Sequence, residues 1–184
     1  MKIDSLKSHL KVYSILKKRK TTIAHAFASA LAPADVYDHE KATQAMEGLG
    51  QSDVKNLECV YCTKPAHTWD HLTNLVKAGE FNGYGHQIGN LVPCCTGCNS
   101  KKRGASFDRF VDGLTALSEE QKEDLKARLT AHQSLAKAVD SSNRDAAEAA
   151  LLKQYRKIQD DVLKLMEAAD DCAEAIRKLR SAAP

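Results

Sequence analysis

The spacing of apolar positions changes twice along the chain and divides it into three segments. Residues 1–56 carry apolar residues at helical spacing, and a short second helix is predicted to end at the glycine-rich residues 48–50. Residues 57–112 carry short, strand-like apolar runs between glycine-rich loops. Residues 113–184 are helical again and open with a capping-box pattern at Ser118. We therefore expect an α+β protein that is mostly helical, with a small central core flanked by helical segments.

The central segment contains three candidate strands and one candidate helix. The strands are Leu57–Cys62, Thr68–Leu72 and Ile88–Val92, and Pro93 is expected to close the last one. The glycine-rich residues 79–85 are predicted to form a loop. A helix is expected to begin at Asn99–Arg103.

The final helix is predicted to bury one apolar seam. Its apolar residues follow each other at alternating steps of four and three, at Leu151, Tyr155, Ile158, Val162, Leu165, Ala169, Cys172, Ile176 and Leu179. This spacing is typical of a helix that packs along one face. Two interpretations stay open, an antiparallel pairing within the chain and the interface of a homodimer. Cys172 is interpreted as a small core residue of this seam.

Composition and charge narrow the classes of protein that fit. The 184 residues are 43% hydrophobic, enough for a folded core. No apolar run reaches the about 18 residues that a membrane span needs, and the charged N-terminus is unlike a signal peptide. We therefore expect a cytoplasmic protein with no membrane partner. The formal net charge is +3, but residues 1–20 hold seven Lys or Arg and one acidic residue. Such a basic head suits contact with a polyanion, and a solvated basic helix is the alternative.

Four of the six cysteines form two Cys-x-x-Cys pairs, Cys59 with Cys62 and Cys95 with Cys98. Two such knuckles can complete a tetrahedral site, and four cysteine ligands leave no open position, so the site predicts a structural Zn²⁺ ion. Cys94 could take the place of Cys95, but only Cys95 forms the short pair with Cys98, so Cys95 is preferred. Metal binding is favoured over disulfides, because the chain looks cytoplasmic.

The sequence around the two cysteine pairs resembles a known nuclease family. WDHL at residues 69–72 follows the first pair, IGNLVP at 88–93 precedes the second, and CNSKKR at 98–103 contains its last cysteine. This order is similar to that of the HNH endonucleases, and above all to small bacterial HNH restriction endonucleases. The resemblance covers residues 57–104. It implies a small ββα-metal zinc core in residues 57–112, between the helical segments 1–56 and 113–184.

Phosphodiester hydrolysis gives reasons for these residue types. His71 can take a proton from an attacking water near neutral pH, as a general base. Oxygens of Asp70 and Asn99 can hold a catalytic divalent ion, Mg²⁺ or Mn²⁺, on the scissile phosphate. By the resemblance, Asn90 ties the loop that holds His71. Neighbouring strand residues point to opposite faces, so Asp70 and His71 can share one phosphate only where the strand ends or bulges, and we expect that it does so here.

Basic residues beside this motif are candidates for DNA binding. Lys101, Lys102 and Arg103 follow Asn99 on the predicted helix, where they would meet phosphates flanking the cut. A solvated basic turn is the alternative for any one of them. His67 is interpreted as exposed, with an accessory ligand as the alternative, and Trp69 is expected to pack under the zinc knuckle rather than to stack on a base. For Tyr84 and His86 two interpretations stay open, a substrate contact and an ordinary polar loop residue.

The sequence therefore predicts a metal-dependent HNH endonuclease that cuts double-stranded DNA in restriction or defence. One alternative is a zinc-stabilised DNA-binding module without catalysis. A second alternative is a different hydrolase or an RNA-directed nuclease, and a third is an HNH nuclease of a mobile element, a repair system or a phage. A binding module alone has no need of the Asp70-His71 dipeptide or of Asn99, which favours the enzyme. A palindromic site would require two-fold symmetry, which a homodimer through the final helix would supply.

Overall fold

The computed structural model of the chain describes residues 3–140 and 144–182. It confirms the α+β class and the helical majority. The chain forms two compact units. A central unit spans Ala28–Ser142, and a terminal unit combines Met1–Phe27 with Asn143–Pro184. In the described part of the chain, no helix has the length and apolar character of a membrane span.

The terminal unit consists of helical elements from both ends of the sequence. A 3-10 turn at Ile3–Ser5 and helix α1 (Leu6–His9) precede α2 (Ile15–Leu31), whose last residues extend into the central unit. The long helix α7 (Ala146–Ala182) follows at the other end of the chain. The predicted final helix is therefore confirmed.

Helices α2 and α7 run antiparallel. The Tyr155 hydroxyl donates to the carbonyl oxygen of Phe27 at 2.9 Å. At the other end of the pair, the Asp170 carboxylate accepts the backbone N–H groups of Ile15 at 2.7 Å and Leu16 at 3.1 Å. The first N–H groups of a helix have no partner inside it, so Asp170 caps α2 from a helix distant in sequence. These bonds hold the pKa of Asp170 below its ordinary value. The pairing within the chain, one of the two interpretations of the seam, is observed.

The face of α7 that packs overlaps the predicted seam only in part, at Tyr155 and Val162. Its half-buried positions include Leu152, Tyr155, Val162 and Met166. The predicted seam residues left exposed include Leu151, Ile158, Leu165, Cys172, Ile176 and Leu179. A heptad pattern locates an apolar stripe on a helix, but it does not determine which side of that stripe a neighbouring helix covers. Here α2 covers the side that includes Tyr155. Cys172 is thus an exposed residue and not a core residue.

In its described residues, the central unit contains four strands, with α3 before them and three α-helices after them. Its elements are α3 (His39–Gly48), β1 (Thr68–His71), β2 (Val76–Lys77), β3 (Glu80–Phe81), a 3-10 turn (Ile88–Asn90), β4 (Leu91–Cys94), α4 (Thr96–Lys102), α5 (Phe107–Asp112) and α6 (Glu119–Gln133). Strand β1 pairs antiparallel with β4, and β2 with β3. The predicted capping box is confirmed, because Ser118 and Gln121 exchange side-chain-to-backbone hydrogen bonds at the start of α6.

Strand β4 differs from its prediction at both ends. The predicted start forms a 3-10 turn, and Pro93 lies inside the strand, paired with Trp69. The Leu72 N–H donates to the Asn90 carbonyl at 2.9 Å. Hydrogen-bonded pairs alternate along an antiparallel ladder, so this bond makes Trp69–Pro93 a pair without mutual hydrogen bonds. Proline therefore removes no bond from the ladder.

Two other segments of the central unit also correct the sequence prediction. Leu57–Cys62 is not a strand but a knuckle with one isolated bridge, between Glu58 and Pro65. Residues 79–85 are not all loop, because the first of them close the hairpin of β2 and β3. Ala78 and Gly79 have φ angles of 53° and 89°, the positive values that a two-residue hairpin turn requires.

The core of the central unit surrounds the cysteine knuckles. Fully buried Val92 of β4, Val111 of α5 and Leu129 of α6 belong to one cluster, together with Cys59. The ring of Tyr61 packs edge-on against Phe110, with the ring centres 4.9 Å apart. The knuckles therefore lie within the hydrophobic core and not on a separate appendage.

Candidate functional site

Cys59, Cys62, Cys95 and Cys98 form a cluster that fits a metal ion. Their four Sγ atoms all lie within 4.8 Å of one another. In a tetrahedral site with Zn–S bonds of about 2.3 Å, neighbouring sulfurs are about 3.8 Å apart. The Sγ atoms of Cys62 and Cys95 are 3.6 Å apart, close to that edge. The predicted four-cysteine site, suited to a metal such as zinc, is confirmed.

Cys94 lies beside this cluster but is not part of it. It is fully buried, with its Sγ 3.9 Å from the Sγ of Cys59. This contact lowers the pKa of Cys59 to about 4, and the same contact together with burial raises the pKa of Cys94. The Cys95 Sγ instead accepts the backbone N–H of Cys98 at the start of α4. The preference for Cys95 over Cys94 is confirmed.

Strand β1 and helix α4 bring the other predicted site residues into one region. The amide nitrogen of Asn99 lies 3.4 Å from the Trp69 carbonyl oxygen and 3.4 Å from the Thr68 hydroxyl oxygen. Lys102, three residues later on α4, reaches Asp70 on the same strand. Helix positions three apart lie on one side, which explains why both side chains face β1.

Asp70 lies in a buried ion pair. Its side chain is 5% exposed, and Oδ2 accepts the Tyr61 hydroxyl at 2.9 Å. The Lys102 ammonium lies 3.2 Å from Oδ1 and 3.1 Å from Oδ2. Burial raises the pKa of Asp70, against the opposing effects of Lys102 and Tyr61. The Lys102 ammonium thus occupies the place beside the carboxylate that a divalent ion would need.

The strand geometry separates Asp70 from His71. β1 ends at His71, as expected, but Asp70 pairs with Val92 and His71 with Leu91 in an unbroken register, without a bulge. Asp70 faces the core, while Trp69 and His71 lie on the outer face, as strand alternation requires.

Lys102 corrects one predicted DNA contact. Its side chain is 0% exposed, and its ammonium also donates to the carbonyl oxygen of His71 at 2.8 Å. A side chain so enclosed is not available to a phosphate. Its neighbours Lys101 and Arg103 are exposed and stay candidates. The sequence alone does not separate these residues, because all three belong to one basic run.

His71 lies at the end of β1 with its ring against that of His86. Nε2 of His71 is 3.2 Å from Nδ1 of His86, and the two planes meet at 66°. Burial, reinforced by His86 and Lys102, lowers the pKa of His71 to about 4. The imidazole is therefore neutral at pH 7 and able to accept a proton. An anionic phosphate beside it would raise this pKa toward neutrality.

Asn90 joins the two segments that carry these histidines. It is fully buried, and its Oδ1 accepts the backbone N–H of Thr73 at 2.8 Å. Its Nδ2 donates to the carbonyl oxygens of Thr73 and Gly85, both at 3.0 Å. Asn90 thereby ties Thr73, two residues after His71, to Gly85, the residue before His86.

Three residues near the site either differ from their prediction or were not identified by the sequence analysis. Trp69 is 49% exposed on the outer face of β1, and does not pack under the zinc knuckle. Tyr61 is not singled out by the sequence, although its position between Cys59 and Cys62 puts it beside the cysteine cluster. His86 reads as a loop residue, and only its spacing of four residues before Asn90 points to this region.

No protein-family model, curated protein or solved structure matches this chain. The residues and contacts above therefore carry the functional argument by themselves.

Proposed function

We propose that this protein is a metal-dependent endonuclease of the HNH type that hydrolyses phosphodiester bonds of DNA. One observation carries the proposal. A neutral His71 lies at the end of an antiparallel strand pair, just before a loop tied by Asn90. The pair continues directly into a helix that starts in a four-cysteine site. This order of strand, strand and helix supports a ββα-metal core.

In the proposed reaction, His71 acts as the general base. Its neutral ring accepts a proton from the water that attacks the phosphorus, in line with the leaving oxygen. Asn90 holds the backbone on both sides of the histidine pair, which keeps the ring of His71 in one position. Such positioning lowers the entropic part of the barrier.

A divalent ion, Mg²⁺ or Mn²⁺, would neutralise the charge that develops on the phosphate oxygens. The fit of its two proposed ligands is unequal. Asn99 is half-buried, and its amide group makes only two long hydrogen bonds of 3.4 Å, which ion binding could replace at little cost. Asp70 can bind such an ion only when its ion pair with Lys102 opens. We therefore expect Asn99→Ala to raise the Mg²⁺ concentration needed for half-maximal cleavage.

The proposed DNA surface lies around the outer face of β1. Trp69 shares that face with His71 and offers an exposed ring for contact with a sugar or base. Lys101 and Arg103 offer positive charge at the end of α4. The exposed basic residues at the start of α2, Lys17–Lys20, offer a second positive surface on the terminal unit.

We further propose a cytoplasmic restriction enzyme that acts as a homodimer. Thiolates that hold zinc persist in a reducing compartment. Leu151, Leu165 and Leu179 of α7 are 67%, 72% and 74% exposed and are spaced by whole heptads, which is the spacing of a helix-to-helix contact. Mass measurement in solution tests this part, and a strictly monomeric protein at working concentrations contradicts it.

A cleavage survey with the zinc-loaded full chain tests the proposed function. Supercoiled plasmid DNA and a structured RNA of similar length are incubated with Mg²⁺, Mn²⁺, Ca²⁺ or a chelator of free divalent ions. We expect nicked and linear DNA with Mg²⁺ or Mn²⁺, intact RNA, and no cleavage with the chelator. Sequencing of the cut ends then gives the recognised sequence and the stagger.

The same survey separates the alternative functions. A zinc-stabilised binding module retards the DNA in a gel but leaves the plasmid supercoiled under every ion. A nuclease directed at RNA degrades the RNA and spares the plasmid. Either result contradicts the proposed function.

A further inference from the structure

His86 is the one imidazole in contact with His71 in the described part of the chain. The distance of 3.2 Å between Nε2 of His71 and Nδ1 of His86 allows a single N–H···N hydrogen bond. A neutral imidazole carries one proton, so the nitrogen that donates leaves the other nitrogen of the ring as an acceptor. The direction of this bond therefore decides which nitrogen of His71 carries a lone pair.

The two directions have opposite consequences for His71. If Nε2 of His71 donates, Nδ1 keeps its lone pair and stays available to accept a proton. If His86 donates instead, the bond takes up the lone pair of Nε2 and the proton resides on Nδ1. His71 then has no free lone pair and cannot accept a proton from water. The choice thus separates an active general base from an inactive one.

The backbone around His86 is held by a segment remote in sequence. Its N–H donates to the Pro33 carbonyl at 2.8 Å, and its carbonyl accepts the Asp35 N–H at 3.2 Å. The Asp35 carboxylate also accepts the N–H of Ile88 at 2.8 Å. Gly85 permits this close approach, because a Cβ there would lie 1.9 Å from the Pro33 carbonyl oxygen. His86 therefore has a fixed backbone position from which to orient a neighbouring ring.

We propose that His86 is a positioning residue that accepts the Nε2–H of His71 through Nδ1 and so presents Nδ1 of His71 as the nitrogen that takes the proton from water. This inference rests on the proposed nuclease function. It adds His86 to the site, and it assigns both the direction of one hydrogen bond and the nitrogen of His71 that acts as the base. A partner that fixes the tautomer of a functional histidine is a recurrent device in protein sites.

Two substitutions at His86 separate hydrogen bonding from packing. His86→Asn places an amide oxygen near the position of Nδ1 and can still accept the bond. His86→Leu has a similar size but offers no acceptor. His67→Leu, at an exposed histidine close to β1, is the matched control for removing an imidazole.

The tautomer is measured directly by nitrogen–proton correlation spectra of the histidine side chains in the zinc-loaded full chain at pH 7.5. We expect the proton of His71 on Nε2 in the unsubstituted protein and in His86→Asn, and a mixture of both tautomers in His86→Leu. DNA cleavage by His86→Leu should fall roughly 10–100-fold, with most of the loss recovered in His86→Asn.

The outcomes distinguish this inference from the function on which it rests. A His71 proton on Nδ1 in the unsubstituted protein overturns it, and that spectrum needs no variant to fold. Unchanged tautomer and cleavage rate in His86→Leu also overturn it. Plasmid that stays intact under every ion, together with the Nε2–H tautomer, refutes the nuclease function and leaves the assignment of the hydrogen bond supported.

Discussion

The buried pair of Asp70 and Lys102 makes the sharpest prediction about stability. The Lys102→Met substitution keeps the length of the side chain and removes the ammonium, which lies within 3.2 Å of both carboxylate oxygens. Asp70 is then left as a charge that is 5% exposed, with the Tyr61 hydroxyl as its remaining donor. Removing one partner of a buried ion pair costs about 3–5 kcal/mol of unfolding free energy. We expect a loss in that range at pH 7.

A double substitution tests whether the cost comes from the stranded charge. In Asp70→Asn/Lys102→Met no charge stays buried, and the amide oxygen introduced on β1 can still accept the Tyr61 hydroxyl. The carbonyl oxygen of His71 still loses its hydrogen-bond donor, which costs about 1–3 kcal/mol of unfolding free energy. The double variant should therefore be more stable than Lys102→Met alone, although it carries one more substitution.

Urea denaturation of the zinc-loaded protein measures both quantities. Trp69 is the single tryptophan of the chain and lies on β1 next to Asp70, so its fluorescence reports unfolding of this region. Lys101→Met is the matched control, because this exposed neighbour should change the free energy by no more than about 0.5 kcal/mol. A loss of less than about 1 kcal/mol of unfolding free energy in Lys102→Met would refute the reasoning, and so would a double variant that is less stable than Lys102→Met.

Three further predictions concern the metal site, His71 and the terminal unit. Cys95→Ser should lose its bound zinc, whereas Cys94→Ser should retain one ion per chain, and elemental analysis after gel filtration compares them. His71 should titrate near pH 4 by NMR rather than near its ordinary 6.5. Its folded pKa is the lower one, so the unfolded state takes up the proton first and stability should fall as the pH drops from 6.5 toward 4. Titration near 6.5 would contradict the burial of the ring. Asp170→Asn should lower the thermal midpoint of helix loss, followed by circular dichroism, more than Asp171→Asn does, because only Asp170 caps α2. Equal midpoints would argue against that cap.

Local signals in the sequence were sufficient for the parts of the site that depend on neighbouring residues. The Cys-x-x-Cys spacing identified Cys95 over Cys94, because two thiolates must face one ion from a single turn. The capping box at Ser118 was equally local. The strand Thr68–Leu72 followed from its apolar pattern and was observed almost unchanged.

Contacts between distant residues could not be predicted in this way. In the sequence, Lys102 belongs to a basic run and was predicted to contact a phosphate. Its actual partner, Asp70, lies 32 residues earlier, and only the packing of α4 on β1 brings the two together. The seam of α7 was only partly right for the same reason, since the side of the apolar stripe that is covered depends on where α2 lies. His86 acquires a role only once Pro33 and Asp35 hold its backbone.

The rate of plasmid nicking by His71→Ala, measured beside His67→Ala, tests the central claim most directly. A general base contributes typically 10²–10⁴-fold to a rate, so we expect a loss of about that size in His71→Ala under saturating Mg²⁺. The exposed His67 should be replaceable with a change of less than about twofold, a free-energy difference within about 0.5 kcal/mol. Equal nicking by both variants, with zinc content and unfolding free energy unchanged, would remove His71 from the reaction and contradict the account.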